Sequence, residues 1–253
     1  MIYDQEGMYE KKCQLLEKIK DSNYSQNQVD EYRIQKIFES FYNCEYIEDL
    51  ERLVKLEIYY DPILENKAYF LSKIANKSPI IVTELAEFVY KNDDGESCKI
   101  PNIDAIASNC YDKLNNLKIE FTEENGIEWC EEFLNLMKKK NRTKVMFHIL
   151  GQLLARTSID KDDKVYPSKN VRKIIEYYKS GDLASSFKIE RYNERGVHYI
   201  GIGEEENALY IQYLNWANEI KFEYPETSKI LKSLAETYKE EAKMIREKAN
   251  YVR

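Results

Sequence analysis

LYIQYLNWANEIKFEYPETSKILKSLAETYKEEAKMIREKA, residues 209–249, decides how this chain folds. Leu209, Tyr213, Trp216, Ala217 and Ile220 fall on one side of a helix, because residues three and four apart share a face at about 3.6 residues per turn. Tyr224-Pro225 interrupts the run, and Ile230, Leu231, Leu234, Ala235, Tyr238, Ala242, Ile245 and Ala249 resume the spacing. So short a connection predicts two antiparallel helices. Trp216 is expected to be largely buried against the final helix, in contact with Leu231, Leu234, Ala235 and Tyr238.

Towards the N-terminus the pattern repeats. Pro167 restarts a helix carrying Val171, Ile174, Ile175 and Tyr178, with Gly181 placed to cap its end. Val145, Met146, Ile149, Leu150, Leu153 and Leu154 form another stripe. A helix beginning near Thr122 carries Trp129, Cys130, Phe133, Leu136 and Met137, with Glu123 and Glu124 at its positive end and Lys138, Lys139 and Lys140 at its negative end. Ser78 and Pro79 open a stripe that closes at the turn Asn92-Asp93-Asp94-Gly95. Similar spacing places helices at about 4–20, 27–42, 46–60, 62–76 and 102–116.

The fold class this predicts is all-α, an irregular array or bundle of about eleven helices without a tetratricopeptide or HEAT period. Residues 1–253 read as one helical domain, or as two packed halves, 1–117 and 118–253. One segment, SSFKIERYNERGVHYIGIG at 185–203, breaks the pattern and reads as a short irregular or hairpin segment. Composition agrees: 8 Gly and 5 Pro in 253 residues are too few to turn an all-β chain, and 43% apolar with 33% charged residues suits helices with one wet face.

A net charge of −7 works against general coating of phosphate backbones. No apolar run approaches the roughly 20 residues needed to span a bilayer, and Met1 is not followed by a signal core, so the expected location is the cytoplasm. Cys13, Cys44, Cys98, Cys110 and Cys130 contain no C-x-x-C pair and are expected to be reduced thiols.

No catalytic motif stands out. His148 lies between Phe147 and Ile149 and reads as a core or helix-face residue. Asp160-Lys161-Asp162-Asp163 lacks the glycine and glutamate of a calcium loop, with Val165 and Val171 in their places. Gly196, Gly201 and Gly203 do not form a phosphate-binding loop. No metal and no cofactor is expected. What remains is a cluster of Lys188, Arg191, Tyr192, Asn193, Arg195, His198 and Tyr199. Arg and Tyr are the residue types enriched at binding hot spots, so Arg191, Tyr192, Asn193, Arg195 and His198 are the expected partner-binding residues. The same residues packed back onto the helices would be architectural.

The C-terminal half resembles the C-terminal helical region of large bacterial multidomain proteins of uncharacterised function. The resemblance is carried by Gly151, Leu153-Leu154-Ala155, Tyr166-Pro167, Val171-Arg172, Tyr192-Asn193, Arg195-Gly196-Val197, Tyr213, Trp216-Ala217, Pro225, Thr227, Leu234-Ala235, Tyr238 and Glu241-Ala242. Pro79 to Glu96 matches the same family less closely. The chain departs from it at Gly203-Glu204-Glu205-Glu206-Asn207, where the family has a glutamine-bearing, glycine-rich lead-in. The resemblance implies a helical regulatory or partner-binding module, set among immunity or stress-response proteins, and no catalytic residue.

The expected function is therefore a non-enzymatic interaction or regulatory module of a bacterial multiprotein assembly, in antiviral defence, with a protein as partner. Two alternatives stand beside it: an enzyme whose site combines dispersed carboxylates with the 188–199 cluster, and local nucleic-acid binding through 138–142 and 191–195. The sequence assigns no oligomeric state.

Overall fold

The computed structural model describes residues 2–21, 28–42, 49–65, 67–99, 103–196 and 202–251, and these contain twelve α-helices and no strand. They fall into two compact units, Met1–Val89 with Lys99–Lys118, and Tyr90–Cys98 with Ile119–Arg253. Among the described residues no helix is long and apolar enough to cross a membrane.

The first unit holds α1 (Ile2–Asp21), α2 (Gln28–Tyr42), α3 (Leu50–Tyr59), α4 (Tyr69–Lys77), α5 (Ile80–Val89) and α6 (Ile103–Asn116). Its centre is aromatic: Phe38 and Phe41 of α2 meet Phe70 of α4 with ring centroids 6.3 and 6.5 Å apart, and Tyr9 of α1 lies 5.4 Å from Phe41. Such tilted and edge-on pairs add to the area they bury. The Arg52 guanidinium of α3 clamps α1, forking onto both Glu17 carboxylate oxygens at 2.7 Å and reaching Glu10 at 2.8 Å. Ala68, before α4, makes no side-chain cap. Instead the buried Glu57 carboxylate of α3 accepts from the backbone N–H groups of Tyr69, Phe70 and Leu71, which satisfies donors that a helix start leaves open. The periodicity that suggests a helix over 62–76 starts too early, since residues 60–65 form turns.

The second unit holds α7 (Gly126–Lys139), α8 (Thr143–Ala155), α9 (Lys169–Tyr178), α10 (Gly181–Asn193), α11 (Glu204–Ile220) and α12 (Pro225–Tyr251). α11 and α12 pack along each other as the opening stretch predicts. The residues of α11 turned to the core are Tyr213, Ala217 and Ile220. Trp216, at the edge of that stripe, is half-buried, its ring 5.9 Å from Tyr166 and 5.3 Å from Tyr213. Of the expected contacts with α12, the one with Tyr238 is made by Tyr213, which stacks on it at 5.6 Å.

The irregular or hairpin segment expected within 185–203 is corrected. Residues 185–193 are the C-terminal part of α10, the helix beyond the expected eleven. Its buried residues are Leu183, Ser186 and Phe187, correctly spaced for a helix but with a serine in the stripe. That serine is there because α8 and α10 nearly touch at Gly151, where a Cβ would stand 2.5 Å from the Leu183 carbonyl oxygen and 3.0 Å from the Ser186 Cβ. Small residues permit the approach and dilute the apolar signal. Gly181 consequently does not cap α9. Lys179 does, at φ 47°, and Ser180 then accepts from the Leu183 N–H to start α10.

Polar side chains bind the loops of this unit to helix ends. Asp93 in the segment 90–98 accepts from the backbone N–H of Thr143 at 2.8 Å, the Thr143 hydroxyl at 2.7 Å and the Lys144 N–H at 3.1 Å, capping α8, where Arg142 makes no side-chain cap. Asp160 accepts from the Lys169 N–H at 2.7 Å, and Glu176 from the Thr227 N–H at 2.9 Å, at the starts of α9 and α12.

Candidate partner-binding site

Of the residues singled out around 188–199, Lys188, Arg191, Tyr192 and Asn193 lie on the last two turns of α10 and Arg195 just beyond it. Here the helix runs beside a line of aromatic rings, Tyr166, Tyr213 and Tyr238, all buried. The Arg191 guanidinium sits 4.3 Å from the Tyr166 ring centroid, donates from Nε to the Tyr213 hydroxyl at 2.8 Å and pairs with Glu194 at 2.5 Å. A planar cation over an aromatic face, with its edge donors used, is the arrangement guanidinium favours. Burial pushes the Tyr166 phenol well above its ordinary pKa, and its hydroxyl donates to the Ala155 carbonyl at 2.6 Å.

Tyr192 lies against Tyr238, centroids 5.5 Å apart, with its hydroxyl engaged by Glu241. Arg195 joins three carboxylates, Glu206 at 2.5 Å, Glu205 at 3.1 Å and Glu241 at 3.6 Å. Glu206 is only 1% exposed, so its charge depends on Arg195 for compensation. The structure thus brings Arg191, Tyr192 and Arg195 together through partners on α11, α12 and the segment before α9. Asn193 is exposed at the end of α10. His198 and Tyr199 lie outside the described residues.

Sequence reasoning missed Tyr166, Glu206 and Glu241 as members of this cluster. The three acids that open α11, Glu204, Glu205 and Glu206, were readable as a helix start. Nothing local marked Glu206 as the buried one. Past Arg195 the chain returns through Gly203, at φ 81°, where a Cβ would lie 2.7 Å from the Ala242 carbonyl oxygen; both the dihedral and the approach require glycine.

Other polar groups are engaged in a similar way. The His148 Nδ1 lies 2.6 Å from the Ser186 hydroxyl, and its ring meets Tyr90 edge-on at 6.2 Å. In the acidic loop, Asp163 receives both terminal nitrogens of Arg172, and Asp160 accepts from the N–H groups of Asp162 and Asp163. Among the described residues no group of three or more His, Cys, Asp or Glu side chains could hold a metal ion. Cys13, Cys98, Cys110 and Cys130 form no disulfide. No family model matches the chain, no curated protein matches it, and no solved structure matches it.

Proposed function

We propose that this chain is a non-enzymatic helical interaction or regulatory module, working within a bacterial multiprotein assembly in antiviral defence. One observation carries the non-enzymatic part of the reading: the way charge is used in the interior. The charged residues buried among the described residues are Glu57, Lys113, Arg142, Arg172 and Glu206. Glu57 receives three backbone N–H groups, Lys113 pairs with Asp61, Arg142 donates to the carbonyls of Tyr90 and Lys140, Arg172 is held by Asp163, and Glu206 by Arg195. A general acid or base has to reach a substrate proton; these groups hold helix ends and loops instead. The bacterial and defence setting rests on the resemblance carried by the C-terminal half.

The partner is a protein, and the surface proposed for it is the end of α10, where Asn193 is exposed beside the Arg195 ion cluster. An affinity-tagged chain in its native host should retain one protein in stoichiometric amount. Asn193→Arg should lose that protein while keeping the wild-type melting temperature, because an exposed substitution changes stability by no more than about 0.5 kcal/mol. Turnover of ATP, GTP, single-stranded DNA or RNA by the purified chain, in proportion to its concentration, would overturn the non-enzymatic reading.

A further inference from the structure

We infer that the cleft where the α9–α10 turn faces α12 is a binding site for a small phosphate ester. The cleft encloses about 290 Å³, at the lower edge of the range for small-molecule sites. Its walls differ in character. Ile175 of α9, Ala184 of α10 and Ile230 of α12 are apolar, and Lys179, Lys188 and Lys229 stand around them. Glu226 also lines the cleft, 2.7 Å from Lys229, so that pair is neutral.

Lys179 and Lys188 are left uncompensated: among the described residues neither makes an ion pair or side-chain hydrogen bond. Two uncompensated cations on one small cleft are notable in a chain of net charge −7. They match the charge of a phosphate monoester, about −1.5 to −2 at neutral pH. The apolar residues lining the same cleft, Ile175, Ala184 and Ile230, would take the organic part of the ester.

Gly181 provides a separate observation. It lines the cleft at the first position of α10, yet it has no positive φ and a Cβ there would meet nothing within 4 Å. Neither backbone conformation nor packing calls for glycine here, unlike Gly151 and Gly203. Its effect is to leave the backbone at the start of α10 open to the cleft, next to the two unpaired lysines.

Calorimetric titration with phenyl phosphate tests the site, since this probe carries a dianion on an apolar ring. Saturable binding to the wild-type chain is expected, with phenol and inorganic phosphate each weaker by about tenfold or more, as expected when a charged hydrogen bond or the apolar contact is removed. Lys179→Asn with Lys188→Gln should weaken phenyl phosphate by a similar factor. Asparagine tolerates the left-handed backbone at 179, so the melting temperature should stay unchanged. Absence of saturable binding to the wild type, equal binding of phenol or inorganic phosphate, or undiminished binding by the correctly folded double variant would each overturn the assignment. The measurement uses this chain alone, so its outcome is independent of whether a protein partner is found.

Discussion

Arg172, 1% exposed, has its guanidinium spread over the Asp163 carboxylate and the carbonyls of Pro167 and Val165, at 2.6 to 2.9 Å. Arg172→Leu removes the cation and leaves the Pro167 and Val165 carbonyls without their donor, and should cost about 1–3 kcal/mol in urea unfolding, the usual penalty for unsatisfied buried acceptors, since the partly exposed Asp163 carboxylate regains water. The same contact sets a pH dependence. The guanidinium holds the Asp163 carboxyl below its ordinary pKa, so folding gains from the ionised form above the unfolded value near ~3.9 and loses that gain as pH falls through the lower folded value. The melting-temperature gap between wild type and Asp163→Asn should therefore be full at neutral pH and close progressively below about pH 4. Arg195→Glu would place a further carboxylate among Glu205, Glu206 and Glu241 and should lower stability by about 2–3 kcal/mol, less than for a fully enclosed pair because Arg195 keeps some exposure. An unchanged melting temperature would show that this ion cluster contributes nothing to folding. Neither structural role was legible locally: Arg195 read as a partner-binding residue and Arg172 carried only a resemblance, and it is the partners brought in from other parts of the chain that make them structural.

Gly151 decides whether α8 and α10 can meet. Its missing Cβ would stand 2.5 Å from a backbone oxygen, which cannot swing aside as a side chain can, so Gly151→Ala should lower stability by at least about 1–3 kcal/mol in thermal or chemical denaturation. Gly181→Ala, with open space at the Cβ, should be neutral or slightly stabilising, and the two alanine variants measured together separate packing from propensity. This contrast also explains what could be read beforehand. α11 and α12 were legible because their buried apolar residues recur at helical spacing, Tyr213, Ala217 and Ile220 on one and Leu231, Leu234, Ala235 and Tyr238 on the other. α10 was not, because the close approach at Gly151 favours Ser186 where a larger apolar residue would have given the helix away. The start of α4 slipped where its cap comes from afar, Glu57 of α3; Asp93 closes α8 in the same manner from the segment before α6. The polar cluster at the end of α10 was named from residue type alone; of its described members, Arg191, Tyr192 and Arg195 share one region. Their aromatic and acidic partners on α11 and α12 required the fold.

Over the whole molecule, the arginines among the cations that suggested nucleic-acid binding are engaged by the protein itself, while Lys138, Lys139 and Lys140 are exposed. Arg142 is buried against carbonyl groups, Arg191 covers Tyr166 and Arg195 holds Glu206. With a net charge of −7, no electrophoretic shift of DNA or RNA is expected even at low salt, where phosphate contacts are strongest; a salt-sensitive shift would restore that reading. The path of the chain between the two units has a different implication. After α5 the backbone leaves the first unit, lays residues 90–98 on the second, returns for α6, and crosses again at 118–119. The Asp93 carboxylate that closes α8 is therefore translated about fifty residues before the helix it serves. Neither unit corresponds to one uninterrupted run of codons. A deletion series cut at 118–119 would strip α8 of its cap, and residues 119–253 expressed alone should lose about 0.5–2 kcal/mol of stability, part of it restored on adding a synthetic peptide of residues 90–98. Gene dissection, grafting and the interpretation of frameshift alleles all have to treat these nine residues as cargo that the first unit carries for the second.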